Sequence, residues 1–141
     1  MVVRNWPECF PEGCPPRESI EQLSEFFRLT TKTPALGDFL IYRDENPKII
    51  SKVSVADKNP LKYYQSFGLS MYKDINSLRN VCKASGAMKK IVMDKGFISK
   101  GDSRDGVYLN TPTGTSNSHY TIWLYKDARP WEYFVVCEKV S

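Results

Sequence analysis

Apolar and polar residues alternate over short stretches in the second half of the chain, a pattern typical of β-strands. The two most aromatic stretches are residues 119–125 and 131–137, and residues 126–130 lie between them. Because a few residues are enough to join an antiparallel pair of strands, this spacing predicts a hairpin. We expect the hairpin to form the centre of a β-sheet.

Further strands are predicted where aromatic and β-branched residues cluster between turn signals. These segments are residues 26–30, 67–72, 88–93, 97–99 and 107–109. Gly68 lies inside the second of them, which indicates a β-bulge or a close approach of two backbones.

Apolar residues at helical spacing mark the clearest helix, at Ile75–Ser85. Asp74 precedes it as an N-cap, and Gly86 follows it as a left-handed stop. The spacing places Leu78 and Cys82 on one buried face of this helix.

A second helix is predicted from Thr33 to Asn46. The Thr33 hydroxyl can cap its first turn, a proline follows at the first helical position, and another proline ends it. The spacing predicts that this helix buries Leu36, Phe39 and Leu40.

Two weaker patterns flank this second helix. A Ser-Ile-Glu-Gln capping box at residues 19–22 predicts one helical turn. Residues 48–64 are mixed in character and contain an Asn-Pro turn signal, so we expect a loop there with a short extended piece at residues 49–55.

The order of these elements, with helices early and strands late, predicts an α+β fold with a mainly antiparallel sheet and two or three helices. The length of 141 residues suits one domain, which we place at residues 19–141. Residues 1–18 hold four of the nine prolines. Proline disfavours helices and central strands, so this segment is predicted to be an arm packed on the domain.

The charge of the chain adds little to these predictions. The chain carries 20 basic and 16 acidic residues, a net charge of +4, and the basic residues are scattered. Its isoelectric point of 8.8 lies just below the value of about 9 that is typical of dedicated nucleic-acid-binding domains. The pattern argues against nucleic acid as the main partner and leaves weak nucleic-acid binding as an alternative function.

The compartment is predicted from what the sequence lacks. The first residues do not form the apolar core of a secretory signal, and no apolar run is long enough to cross a membrane. We therefore expect a cytoplasmic protein without membrane association, whose cysteines are reduced thiols.

A zinc half-site at Cys9 and Cys14 is the alternative, but the spacing of the cysteines matches no usual zinc pattern, so no metal site is predicted. An exposed edge strand would favour a homodimer.

A polar loop at residues 111–118 precedes His119, the only histidine in the chain. Its hydroxyl and amide side chains and its glycine could hold an anion, and the following aromatic residues could form the wall of a cleft. The ligand-binding candidates here are Thr113, Ser116, Asn117, Tyr120 and Trp123. The alternatives are a solvated loop and aromatic residues that pack in the core.

Any pair of a nucleophile and a histidine must use His119. The reacting group would be Ser70, Ser116, Ser118 or a cysteine, although the chain has no Gly-x-Ser-x-Gly motif. A hydrogen-bonded structural histidine is the alternative.

The order of several segments resembles that of small ADP-ribosyltransferase-like domains. A strand carrying Arg28 is followed by the strand Gly68-Leu69-Ser70-Met71-Tyr72, then at once by a helix, and then by a series of strands. In those families a basic residue on the first strand holds the NAD diphosphate, a serine or tyrosine shapes the nicotinamide pocket, and a late glutamate steers transfer. The resemblance implies these roles for Arg28, for Ser70 or Tyr72, and for Glu132.

The opening at residues 6–16 is also similar to the start of small uncharacterised bacterial proteins. That resemblance implies a bacterial or mobile-element origin and carries no function with it.

These observations predict a domain that binds a small anionic ligand or a protein in a cleft beside residues 111–119. The alternative is an ADP-ribosyltransferase-like enzyme that acts on NAD. The residues to be found together at such a site would be Arg28, Ser70, His119 and Glu132, with Tyr72 beside them.

Overall fold

The computed structural model describes residues 4–47, 60–84, 94–114 and 116–140. Within them the chain forms a six-stranded antiparallel sheet, three short helices and two 3-10 turns, which confirms the predicted α+β class. The strands are β1 (Glu25–Thr30), β2 (Leu69–Tyr72), β3 (Phe97–Asp102), β4 (Gly106–Asn110), β5 (His119–Leu124) and β6 (Val135–Lys139). The helices are α1 (Tyr42–Glu45), α2 (Pro60–Gln65) and α3 (Ile75–Ala84), and the 3-10 turns are Leu36–Asp38 and Pro130–Glu132.

The strand order is β4-β5-β2-β1-β3-β6, so β1 lies inside the sheet between β2 and β3. The predicted hairpin of the two aromatic segments is therefore wrong. β5 pairs with β2 and β4, whereas β6 pairs with β3 at the edge of the sheet. The segment between them begins a 3-10 turn at Pro130 and buries Phe134 against Gly101 of β3, where a side chain would overlap the Phe134 ring. This contact brings β6 to β3.

The two faces of the sheet are covered differently. One face carries a single core cluster formed by Phe26, Phe39, Leu69, Met71, Tyr108, Ile122 and Phe134. On the other face α3 packs Leu78 and Cys82 against Ile98. A third cluster brings Cys14 of the N-terminal segment together with Phe67, Val107 and Trp123.

β1 and β2 separate soon after they meet. In the described parts of the chain they share the register pair Phe27 with Tyr72. Continued antiparallel pairing would place Leu29 opposite Ser70, but the Arg28 guanidinium reaches across instead and donates to the Ser70 carbonyl oxygen at 2.6 Å. The separation opens a cleft between the two strands.

The segment between β1 and α1 differs from the predicted second helix. Asp38 turns its side chain back to accept hydrogen bonds from the backbone N–H groups of Thr31 and Ala35. The chain therefore forms a 3-10 turn, and a separate short helix α1 follows. Phe39 is buried as predicted, whereas Leu36 is 60% exposed.

Other local predictions have mixed outcomes. The helix expected at Ile75–Ser85 is confirmed as α3 over its described part. Residues 19–22 form no helical turn, because Ile20 makes an isolated bridge with Tyr108. Residues 60–65 form α2 rather than a loop, and Pro60 occupies its first position, where a missing N–H costs least. The strands predicted at residues 49–55 and 88–93 lie outside the described residues.

The described part of the N-terminal segment contacts the sheet through rings and charges. Trp6 stacks on Tyr125 with the ring centroids 4.5 Å apart, and Arg4 forms ion pairs with Asp105 and Asp127. None of the helices in the described ranges has the length and apolar character that a membrane span requires.

Candidate functional site

The space between β1 and β2 is a cleft of about 440 Å³, which we call the β1–β2 cleft. Its polar and aromatic lining consists of Arg28, Tyr42, Glu45, Asn46, Ser70, Tyr72 and Lys95. Leu29 and Leu78 add apolar surface. The cleft therefore combines cationic, hydroxyl and aromatic groups from separate elements of the fold.

Arg28 is held in a fixed orientation at the cleft. Its side chain is 7% exposed, and its Nε donates to the Asp38 carbonyl oxygen at 2.8 Å. Nη1 is committed to the Ser70 carbonyl oxygen, and Nη2 lies 3.2 Å from the Glu45 carboxylate. Two contacts are thus to backbone atoms, and the third is to a side chain that is 33% exposed.

A second charged pair lies beside the first. Lys95 Nζ donates to Asp38 Oδ1 at 2.7 Å, and Asp38 also accepts from the Thr31 hydroxyl and two backbone N–H groups. Burial by itself would raise the pKa of the Asp38 carboxyl, but the Lys95 and Thr31 hydrogen bonds outweigh it, so this pKa lies below its usual value. Asp38 is a charged anchor for both Lys95 and the turn.

Ser70 and His119 form a hydrogen-bonded pair. The Ser70 hydroxyl lies 2.5 Å from His119 Nε2, and the other ring nitrogen, Nδ1, lies 2.7 Å from the Thr111 carbonyl oxygen. A carbonyl oxygen can only accept, so Nδ1 carries the proton and Nε2 accepts the hydrogen bond from Ser70. The Thr111 hydroxyl lies between Nδ1 and the Thr121 hydroxyl, 2.9 Å from each.

The surroundings of His119 favour a neutral imidazole. The ring is buried and faces the edge of the Tyr72 ring, with the centroids 5.2 Å apart. Burial lowers the pKa of His119 below its usual value, and the Thr111 carbonyl opposes this only in part. A neutral imidazole at neutral pH can accept a proton.

The structure brings together most of the residues that the sequence singled out for catalysis. Arg28, Ser70 and Tyr72 line the β1–β2 cleft, and His119 lies directly behind Ser70. Glu132 does not line the cleft, so the structure does not bring it together with this group. It lies exposed in the Pro130–Glu132 turn, where its carboxylate pairs with Arg129 at 3.3 Å.

The ligand-binding residues predicted in the polar loop do not line the cleft. Thr113 and Ser116 bond to each other through their backbones, and the Asn117 carbonyl oxygen accepts a hydrogen bond from the Asn110 side chain. The end of this loop reaches the cleft through His119, which bonds to Ser70 and contacts the Tyr72 ring.

The predicted aromatic wall belongs to the core. Trp123 is fully buried, and its indole Nε1 donates to the Tyr64 carbonyl oxygen at 2.9 Å. Tyr120 packs edge-on against Phe26 and Tyr108 within the cluster on the opposite face. The prediction that these two rings line a cleft is corrected, because alternation along β5 directs them into two hydrophobic clusters.

Sequence reasoning missed Tyr42, Glu45 and Lys95. Tyr42 and Glu45 fell within a predicted amphipathic helix, and nothing in that pattern distinguished them from solvated residues of its polar face. Glu45 ends α1 next to the Asn46-Pro47 boundary, and Lys95 precedes Gly96, which has a φ of 80°. A charged residue at such a boundary is the signal that could have identified Glu45 and Lys95.

In the ranges that the structure describes, no three His, Cys, Asp or Glu side chains are grouped to hold a metal ion. Comparison of the chain with known protein families, curated proteins and solved structures finds no match. The geometry of the cleft is therefore the basis for a proposal of function.

Proposed function

We propose that this domain binds a small anionic ligand in the β1–β2 cleft. The observation that carries the proposal is that Arg28, Ser70, Tyr72 and Lys95 line one cleft although they are far apart in the sequence. Its volume of about 440 Å³ lies within the range of about 300–1,000 Å³ usual for small-molecule sites. Tyr42 and Tyr72 supply aromatic surface for a ring on the ligand.

The Arg28 contacts support an anion in this position. Two of its nitrogens are held by backbone carbonyl oxygens, so the guanidinium is already oriented before a ligand arrives. Its remaining ionic partner, Glu45, is 33% exposed and can be displaced toward solvent. A phosphate or carboxylate group on the ligand would take the place of the Glu45 carboxylate.

The first test is calorimetric titration with ADP-ribose and with inorganic pyrophosphate. We expect Lys95→Met to weaken binding by about tenfold or more, because a charge-assisted hydrogen bond is worth roughly 1.5–3 kcal/mol. Glu45→Gln should strengthen binding, since it removes the competing carboxylate from Arg28.

Glu132→Gln is the matched control, because it changes an exposed carboxylate outside the cleft. Binding should be unchanged in this variant. The absence of heat and of any melting-temperature shift with both probes at millimolar concentration would contradict the proposal. So would equal losses in the Lys95 and Glu132 variants.

An ADP-ribosyltransferase-like reaction on NAD is the second candidate. It is supported by the placement of Arg28 on β1 with Ser70 and Tyr72 on β2 at the same cleft, as the resemblance implies. The carboxylate in this cleft belongs to Glu45, so Glu45 would take the role that the resemblance gave to Glu132. Release of nicotinamide from NAD tests this candidate: Glu45→Gln should abolish release and Glu132→Gln should preserve it. No release by the unaltered protein would remove it.

A further inference from the structure

The Ser70–His119 pair has the geometry of a hydroxyl group activated by an imidazole. We propose that Ser70 is a nucleophile that accepts an acyl group from a small activated ester entering the β1–β2 cleft, with His119 as its general base. This goes beyond the proposed binding function and does not rest on it, because the attack requires only Ser70, His119 and an ester that reaches them.

The tautomer of His119 suits this role. Hydrogen bonding of Nδ1–H to the Thr111 carbonyl oxygen leaves the lone pair of Nε2 directed at the Ser70 hydroxyl, 2.5 Å away. Thr111 thus orients the ring as the third group does in a catalytic triad. The hydroxyls of Thr111 and Thr121 extend this network behind the ring.

The two side chains differ in access to solvent, as the chemistry requires. Ser70 is exposed and lines the cleft, so an ester can reach its oxygen. His119 is only 9% exposed, which limits competition from water for Nε2. The loop hydroxyls of Ser116 and Ser118 instead bond to each other.

Two cationic side chains line the cleft that the Ser70 hydroxyl faces. The Arg28 guanidinium contacts the Ser70 backbone carbonyl at 2.6 Å, and Lys95 lines the same cleft. Negative charge develops on the acyl oxygen when a tetrahedral intermediate forms, and nearby fixed cations stabilise it.

The reaction balances with an ester and water alone. Ser70 Oγ attacks the acyl carbon, its proton passes to His119 Nε2, and the bond from the acyl carbon to the leaving oxygen breaks as that oxygen takes the proton. Water then attacks the acyl-serine, His119 accepts a proton from the water, and the proton returns to Ser70 Oγ. The products are an acid and an alcohol.

The first experiment treats the folded protein with an alkyl fluorophosphonate and locates the adduct by mass spectrometry. We expect one adduct, on Ser70, with loss of fluoride. Ser70→Ala should abolish it, and His119→Gln should slow it by about 100-fold or more. Ser77→Ala is the matched control, because the Ser77 hydroxyl bonds to Asp74 outside the cleft, and labelling should be unchanged.

A second variant keeps the test decisive if His119→Gln unfolds. The thiol introduced by Ser70→Cys should form an ion pair with His119 and react with iodoacetamide at pH 6 at least about tenfold faster than the exposed thiols of Cys9 and Cys137 in the same molecule. Thr111→Val removes one contact to Nδ1 and keeps the carbonyl contact. It should reduce the rate of fluorophosphonate labelling at Ser70 only a few-fold.

Absence of an adduct on Ser70 in the folded protein would overturn the proposal. Alkylation at position 70 no faster than at Cys9 would do the same. Either result leaves the ligand titrations untouched, and tight binding of ADP-ribose without labelling would mean that the pair is structural.

Discussion

Two opposing effects act on the His119 imidazole, and their balance sets its charge. Burial beside Ser70 and Tyr72 disfavours the charged form, whereas the Thr111 carbonyl favours it. Burial is the larger effect, so the pKa of His119 in the folded chain lies below its usual 6.5. Burial also raises the pKa of the Tyr72 hydroxyl, so this neighbour stays neutral over the same range.

This shift predicts a specific pH dependence of stability. Because the folded state favours neutral His119, the His119 contribution to the free energy of unfolding is complete above pH 6.5 and is lost as the pH falls through the lowered folded pKa. The slope reaches at most about 1.4 kcal/mol per pH unit.

Urea unfolding at several pH values, compared between the unaltered protein and His119→Gln, isolates this contribution from those of the carboxylates. The unaltered protein should lose more stability than the variant below pH 6.5. Parallel curves for the two proteins would contradict the assignment.

The sequence pointed to side chains at the cleft where a distinctive chemical type lay in a recognisable strand. Arg28 and Ser70 were found in this way, and the single histidine marked its own position. Glu132 lies outside the cleft, and its place depends on a 3-10 turn at Pro130 that the strand-like pattern did not indicate. Glu45 and Lys95 owe their positions to long-range packing, which local spacing does not record.

At the level of single elements, Gly68, the residue before β2, shows how closely the chain approaches β5 at this point. A β-carbon at Gly68 would overlap the Thr121 methyl group and lie 3.1 Å from the Ile122 carbonyl oxygen. Thr121 is buried and bonded to Thr111, so it has little room to move. The sequence-based expectation of a close backbone approach at Gly68 is thereby confirmed.

Gly68→Ala should therefore reduce the free energy of unfolding by about 1–3 kcal/mol, the usual cost of forcing an extra carbon into a packed site. Gly37→Ala is the control, because nothing lies within 4 Å of a β-carbon at that position. Its effect should stay within about 0.5 kcal/mol. Urea unfolding measures both, and equal effects in the two variants would refute the packing argument.

Strand positions were more predictable than strand partners. The segments that became β1, β2 and β5 were identified from alternation and aromatic content. The pairing of β6 with β3 was missed, because proximity in sequence suggested β5, whereas Phe134, just before β6, packs on Gly101 of β3. Alternation of apolar and polar residues identifies a strand, but packing between distant segments determines which strand lies next to it.

On the scale of the whole molecule, the cleft arises from the arrangement of the sheet. β1 pairs with β3 over its full length but with β2 at one register position, so the sheet opens on one side of β1. The 3-10 turn and α1 follow β1, and the backbone of α1 bonds to the residues just before β2. The segment that follows β1 therefore lies where β1 and β2 separate, and it also places Glu45 at the cleft.

The parting of β1 and β2 also changes how the backbone exchanges hydrogen with solvent. In an antiparallel strand the N–H and carbonyl of one residue point to the same edge. The Ser70 carbonyl points toward β1, where it accepts a hydrogen bond from Arg28, so the Ser70 N–H also faces the gap between β1 and β2. We expect this amide to take up deuterium faster than that of Met71, whose N–H points toward β5. A ligand in the gap should slow the uptake at Ser70 and leave Met71 unchanged, so occupancy can be mapped without any substitution. Equal uptake at both amides would mean that the two strands close together in solution.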